Sequence, residues 1–271
     1  TLYAHVVISS LSVPMIAAVA RSLGDRLPNL PAIVLMFSPI YFFGGASGLS
    51  NIDGVVGVTL VLYLLIARQS PLAAGIVSGT LPWVRFELFI FSAIVALYAL
   101  TSPRERAAFL GTGIFPVLYT IAGAVYHQDA LWLLHFPPSA PFDPTNPVFF
   151  RDLIGWEFFL EPMLAVTPVV ATVAALKLDR LHGFERMLLI YAVGATLGVH
   201  VLPMFGIGNF GASPRYSVHM LPAWALLLAR AVEPWWEGER LKVGPLLAVL
   251  ALVAWLATRQ PASRVVVPIL L

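Results

Sequence analysis

The sequence predicts an all-α fold, a polytopic transmembrane helical bundle of about ten membrane segments, some of them half-length. Two observations predict it. Hydrophobic residues make up 59% of the chain and charged residues 11%, with a mean hydropathy of +0.86, whereas a soluble domain carries roughly a quarter charged residues. Apolar stretches also recur along all 271 residues with no charged or low-complexity linker between them. The chain therefore reads as a single membrane-embedded helical domain, 1–271.

A hydrocarbon layer about 30 Å thick needs about 20 apolar residues in a helix, and fewer where a helix is broken and buried in protein. This places helices near Ala4–Val19, Leu30–Phe43, Asp53–Ala67, Pro71–Trp83, Phe86–Leu100, Ala107–Val125, Glu161–Ala175, Met187–Phe205, Ser217–Val232 and Val243–Ala257. The segments flanking Leu81–Arg85 read as half-length helices meeting at a break, because Pro82 lacks a backbone donor and clashes with the preceding turn. The longest non-helical stretch, at about 127–160, combines Pro137, Pro138, Pro141, Pro144 and Pro147 with Trp132, Phe136, Phe142 and Trp156. Such a loop is a functional lid or an interfacial packing element, and composition leaves both open.

Threading the segments sorts the charges. Arg21, Arg26, Arg68, Arg104, Arg106, Lys177, Arg180, Arg186, Arg230, Arg240 and Lys242 fall on one face, and Arg85, Arg151, Arg215, Arg259 and Arg264 on the other. The positive-inside rule makes the first face cytoplasmic. The second is then external or periplasmic, and it carries Asp53, Glu87, Asp129, Asp143, Asp152, Glu157 and Glu161. The expected location is a multi-pass position in the plasma (inner) membrane with any acid chemistry outside.

Composition also excludes some classes. Net charge is +2, from 16 Lys+Arg against 14 Asp+Glu, which is too small a surplus for a nucleic-acid-binding face. The absence of cysteine removes disulfides, thiolate metal sites and cysteine nucleophiles. The chain opens on Thr1 without a basic n-region, so no signal peptide is expected and a truncated piece of a longer protein is.

The sharpest local feature is Ala212-Ser213-Pro214-Arg215-Tyr216-Ser217-Val218-His219-Met220-Leu221-Pro222 at the external entry to a helix. Arg215 offers a planar fork of donors suited to a phosphate, Tyr216 adds a phenolic hydrogen bond, and His219 lies one turn on. The plainer reading is that Arg215 snorkels to the headgroups and Tyr216 belongs to an aromatic belt. Asp53 and Glu87 are costly in lipid, so they should face a cavity or pair with Arg85. His127 and Asp129 are candidate ligands for a divalent metal ion, although His127-Gln128-Asp129 matches no established metal spacing. His5 and His200 read as satisfied core histidines. Gly206-Ile207-Gly208-Asn209-Phe210-Gly211 has the dinucleotide-fingerprint string but follows a helix and no strand, so it reads as a flexible turn.

The Arg215-Tyr216 opening of a late helix, followed by Leu221-Pro222-Ala223 and an Ala/Leu run, resembles the signature of membrane-embedded glycosyltransferases of the GT-C class. These are the polyprenyl- or dolichyl-phosphate-sugar-dependent mannosyltransferases and aminoarabinose transferases. Ser38-Pro39 followed by Asn51-Ile52-Asp53 is similar to that group's Ser-Pro-then-Asp arrangement. Gly75-x-x-x-Gly79 running to Arg85-Phe86-Glu87 is similar to its glycine helix with Arg-x-Glu beyond. The resemblance covers about residues 1–229 and implies a GT-C-like bundle that takes a sugar from a polyprenyl-phosphate donor on the external face. It implies that Arg215, Tyr216 and His219 hold the lipid phosphate, that Arg85 adds a second cation oriented by Glu87, and that Asp53 lines the pocket or helps place a metal.

One departure bears on activity. The group's catalytic acidic pair follows its first transmembrane helix, and nothing ahead of Ala4–Val19 supplies that loop. The resemblance thus implies that the base lies outside this chain, or that the chain is a non-catalytic membrane subunit or scaffold that binds lipid and other membrane subunits. A secondary transporter would also account for the break at Pro82, but it requires an internal repeat that the sequence does not show.

Overall fold

The structure is a computed structural model that describes residues 2–38, 41–42, 44–45, 50–135, 183–201 and 218–236. Among these the chain is all-α, with no strand. The helices are α1 Leu2–Ser10, α2 Ser12–Ser22, α3 Leu30–Met36, α4 Ser50–Leu62, α5 Pro71–Val84, α6 Phe89–Thr101, α7 Arg106–His127, α8 Trp132–His135, α9 Gly183–Val201 and α10 Leu221–Trp236. The expected segments Glu161–Ala175 and Val243–Ala257 and most of the 127–160 loop lie outside the described residues.

Among the described residues two helical stretches are long and apolar enough to cross a membrane, Tyr3–Ser22 and Pro103–His127. Four shorter apolar helices accompany them: Asn51–Ala67, Pro71–Val84, Phe86–Thr101 and Val218–Ala231. The first expected helix is interrupted at Leu11, which divides α1 from α2. The expected helix Leu30–Phe43 is regular from Leu30 through Met36, leaves helical form at Phe37 and Ser38, and is helical again at residues 41–42. The helix α4 runs into a π-turn, Tyr63–Ala67, closed by Arg68 N–H donating to Tyr63 O at 3.0 Å.

The core is built around α4, whose Ile52, Val55, Val58, Val61 and Leu62 are all buried, as is Leu65 in the π-turn that follows. It packs against α2, α5 and the 3₁₀ turn Val218–Met220, while α10 covers α3 and α9. Successive contacts alternate direction: α4 runs from Asp53 toward Arg68, and α5 returns to end beside Arg85.

Backbone-to-backbone packing governs the most extensive contact, α5 against α7. A Cβ on Gly75 would collide with the Ala108 carbonyl, and one on Gly79 with the Thr112 carbonyl. From the other side, a Cβ on Gly111 would meet Leu72 O. Small residues at this spacing let two helix backbones touch where lipid gives no hydrophobic drive to associate. The carbonyl of Thr112 is the one that Pro116, four residues on, cannot bond within α7.

The break near Pro82 falls three residues later than the proline itself. Pro82 sits inside the last turn of α5, and the chain leaves helical geometry at Arg85, with φ −149 and ψ 124, before the 3₁₀ turn Phe86–Leu88. The break thus falls inside the expected Leu81–Arg85 stretch while Pro82 itself stays helical: it frees only the Ser78 carbonyl, and the hydroxyl of Ser92 on α6 lies 2.6 Å from that oxygen. With its one orphaned acceptor met by a neighbouring helix, the turn survives.

Arg230 on α10 ties the opposite end together. Its Nε lies 2.7 Å from Asp25 Oδ1 and 2.9 Å from Glu185 Oε1, and its Nη2 donates to Leu23 O at 2.6 Å. Both carboxylates are buried. Removing the cation from such a group costs about 3–5 kcal/mol.

Gly75→Ala is expected to lower stability by about 2 kcal/mol through overpacking. By contrast, Gly113→Ala on the same contact partner, where nothing lies within 4 Å, should leave it unchanged or slightly raised. Denaturant titration of the detergent-solubilised chain compares the two. In the same assay Arg230→Ala should fall furthest, by about 3–5 kcal/mol.

Candidate functional site

At the end of the bundle opposite Arg230, three segments distant in sequence meet at Gly54. A Cβ built there would sit 3.3 Å from Leu88 and 3.5 Å from the Cβ of His219. Gly54 follows Asp53 in the first turn of α4. Leu88 closes the turn that carries Glu87, and His219 occupies the 3₁₀ turn that opens α10. A Cβ at position 54 would touch the end of the Leu88 side chain tightly and His219 at ordinary van der Waals distance, so the three segments approach closely at this glycine.

Glu87 is buried, and it accepts from Arg85 Nε at 2.8 Å and from Nη2 at 2.5 Å. The extended backbone at Arg85 turns its side chain back toward a residue only two positions on. The expectation that Glu87 pairs with Arg85 is met. Asp53 instead pairs with His5 on α1, Nε2 to Oδ1 at 3.1 Å. Its own exposure is 42%. The other ring nitrogen of His5 lies 3.0 Å from Gly45 O, a group that only accepts, so Nδ1 carries a proton. His5 is thus anchored through Nδ1, and its Nε2 faces one of the candidate acids.

His219 is 3% exposed, and its Nδ1 lies 2.6 Å from the hydroxyl of Tyr191 on α9. Tyr191 also reaches the backbone O of His219 at 3.2 Å, packs edge-on against Phe91 at 4.7 Å, and lies within electrostatic reach of Glu87. Tyr191 is the participant that sequence reasoning missed. Its place inside an apolar helix looked like core, and only a buried phenol's need for a hydrogen-bond partner pointed to it. Arg215 and Tyr216 lie outside the described residues, as do the 206–211 glycine turn and the side chain of His200.

The candidate metal ligands His127 and Asp129 go separate ways. His127 stacks on Trp132 at 5.2 Å, whereas Asp129 binds His135 Nδ1 at 2.5 Å and accepts from Leu131 N–H at 2.9 Å. Among the described residues no group of three or more His, Cys, Asp or Glu converges on one point. The same region forms an aromatic ladder, with Trp83 on Tyr119 at 4.0 Å and Tyr119 on Trp132 at 5.2 Å. The Trp132 indole donates to Thr120 O at 2.9 Å.

These features define an all-α protein with a buried polar cluster, Arg85–Glu87 and Tyr191–His219, at one end of its helices. Comparison with known protein families, with curated proteins and with solved structures gives no match.

The His135 hydrogen bond, then the Leu131 N–H, hold the solvent-facing Asp129 carboxyl below the usual carboxylate range. A lowered folded-state value means that the pair's contribution is present above about pH 4, the unfolded value, and is lost as pH falls through the folded one. Carboxyl-carbon NMR should record Asp129 titrating below the other exposed acids. His135→Ala should move it back up.

Proposed function

We propose that the chain is the membrane-embedded part of a GT-C-like glycosyltransferase that takes a sugar from a polyprenyl-phosphate donor at the Gly54 end of the bundle. The observation that carries this reading is the convergence at Gly54. Residues from three separate motifs, Asp53, Arg85-Phe86-Glu87 and Val218-His219, come to one end of the helices although up to 166 positions separate Asp53 from His219 in the 271-residue chain.

Membrane embedding is supported by the outer surface of α7. Leu110, Ile114, Val117, Leu118, Ile121 and Val125 are exposed on a helix whose other side is packed against α5. In water a contiguous apolar face of that length is a liability, and in a bilayer it is simply solvated. On this reading the protein is multi-pass in the plasma (inner) membrane, with Arg21, Arg68, Arg104 and Arg230 at the cytoplasmic end and the Gly54 end facing the periplasm or exterior.

The chemistry follows from charge. Departure of the sugar leaves negative charge on the carrier phosphate, and cations fixed in a dry site stabilise that charge without reorganising. Arg215, with Tyr216, is assigned that role. Arg85, held by Glu87, supplies charge nearby. On this reading the buried His219, bonded to Tyr191, belongs to the frame of the site.

A second reading is favoured by Asp53 and Glu87 being engaged by His5 and Arg85. In it the chain is a non-catalytic subunit that binds the lipid phosphate and holds other membrane subunits.

Full-length protein in nanodiscs, given a polyprenyl-phosphate sugar, should transfer or release the sugar, and Arg215→Ala should slow this by about 100-fold or more. Unchanged turnover in the variant would sink the assignment. Lipid-phosphate binding without turnover in the wild type would select the subunit. Extraction of the chain from membranes by alkaline carbonate would overturn both.

A further inference from the structure

We infer that His5 and Asp53 form a divalent metal site in which the ring Nε2 and a carboxylate oxygen are the protein ligands, and that it takes an ion accepting mixed nitrogen and oxygen donors, such as Zn²⁺, Co²⁺ or Mn²⁺. The site follows from how α1 lies against α4 and uses nothing of the transfer reaction.

The imidazole is oriented as a ligand. Its Nδ1–H donates to Gly45 O across 3.0 Å, and committing that proton leaves a lone pair on Nε2 of the neutral ring. Metal-bound histidines almost always carry such a second bond, because it fixes the tautomer and the ring plane. Here the carbonyl that does so is itself well seated: a Cβ on Gly45 would come 3.0 Å from the Ser9 hydroxyl, one turn beyond His5 on α1.

Asp53 Oδ1 lies 3.1 Å from Nε2. Two electron-pair donors this close repel unless a cation stands between them. A proton would do so along a nearly straight N–H···O line. Yet among the described residues the buried Nε2 makes no hydrogen bond, so Oδ1 stands off the axis of the ring nitrogen. A metal ion asks for that bent arrangement, because it sits on the lone-pair axis while its second ligand lies to one side. Donors bonded at about 2.0–2.2 Å with right-angle to tetrahedral separation lie about 2.8–3.6 Å from each other, and the observed spacing falls in that range.

Exposure and donor type complete the site. The His5 side chain is 17% exposed, whereas Asp53 is open to solvent on its outer side, so protein binds the ion from one side and water fills the other. Imidazole with carboxylate suits Zn²⁺, Co²⁺ and Mn²⁺, while Mg²⁺ and Ca²⁺ favour oxygen alone. Asp53 lies in the first turn of α4, directly before the closely packed Gly54, which fixes the carboxylate relative to the ring.

The test uses the untagged full chain in nanodiscs, stripped with chelator and titrated with Co²⁺, read by visible ligand-field absorption and by calorimetry. Zn²⁺ should displace the bound Co²⁺, and excess Mg²⁺ should not. His5→Ala and Asp53→Asn should each weaken binding by about 10-fold or more. The double variant should weaken it little further, because both changes remove the same site. His135→Ala, which alters the His–Asp contact at Asp129, should leave the affinity at the wild-type level. Wild-type chain that binds no Co²⁺ overturns the inference, as does unaltered affinity in the two single variants or ready displacement by Mg²⁺. If His5→Ala fails to fold, Asp53→Asn at the partly exposed position decides alone. None of these readings uses a polyprenyl substrate, so loss of the proposed function leaves the metal site standing, and loss of the metal site leaves that function to its own assay.

Discussion

Arg230 is the constraint on which the bundle's arrangement depends. One guanidinium meets the Leu23 carbonyl and the Asp25 carboxylate in the turn after α2 and a carboxylate at the start of α9, so three chain segments share a single point. Burying Asp25 and Glu185 costs several kcal/mol each unless a cation and hydrogen bonds answer them. The compensation requires α10 to sit beside both α2 and α9. Once it does, the antiparallel run of α9 and α10 carries Tyr191 and His219 to the other end, about 9 Å and about 16 Å along their helices by a rise of 1.5 Å per residue.

Between these two polar ends the helices are joined largely by shape. The α5–α7 crossing works because Gly75, Gly79 and Gly111 remove the side chains that would keep two backbones apart. Dispersion contacts then act over the whole crossing, individually small and collectively large. The prolines are absorbed in the same economical way: the acceptor freed by Pro82 is met by Ser92, and the one freed by Pro116 faces Gly79. Polar backbone inside an apolar environment must find a partner, and for the Ser78 carbonyl the neighbouring helix supplies it.

The Gly54 end has a different character. Its charges are paired, Arg85 with Glu87 and His5 with Asp53, and its buried hydroxyl is bonded to the turn that opens α10. Such pairing holds these side chains in one geometry, which is the condition under which fixed charges are most effective. The aromatic ladder from Trp83 to Trp132 stands beside the same end and fastens α8 onto α7, with Gly123 leaving room for the Trp132 indole.

Much of the fold was legible in the residues themselves, because helix and apolar periodicity are local properties. The boundaries of α4, α5, α6 and α7 fall within a few residues of where composition and proline put them, and the Arg85–Glu87 pair is close enough in sequence to be anticipated. Three features were not. That the carbonyl freed by Pro82 would be answered by Ser92 depended on a residue on another helix. That Asp53 would pair with His5, and Arg230 with Asp25 and Glu185, depended on which helices lie side by side. That Tyr191 would hold His219 depended on two helices crossing at one height. Sequence by itself determined the helices, their apolar character and the identity of the charges, since these follow from each residue and its near neighbours. Only the tertiary structure decided the partners, because a buried charge or hydroxyl is satisfied by whatever group packing brings within 3 Å or so.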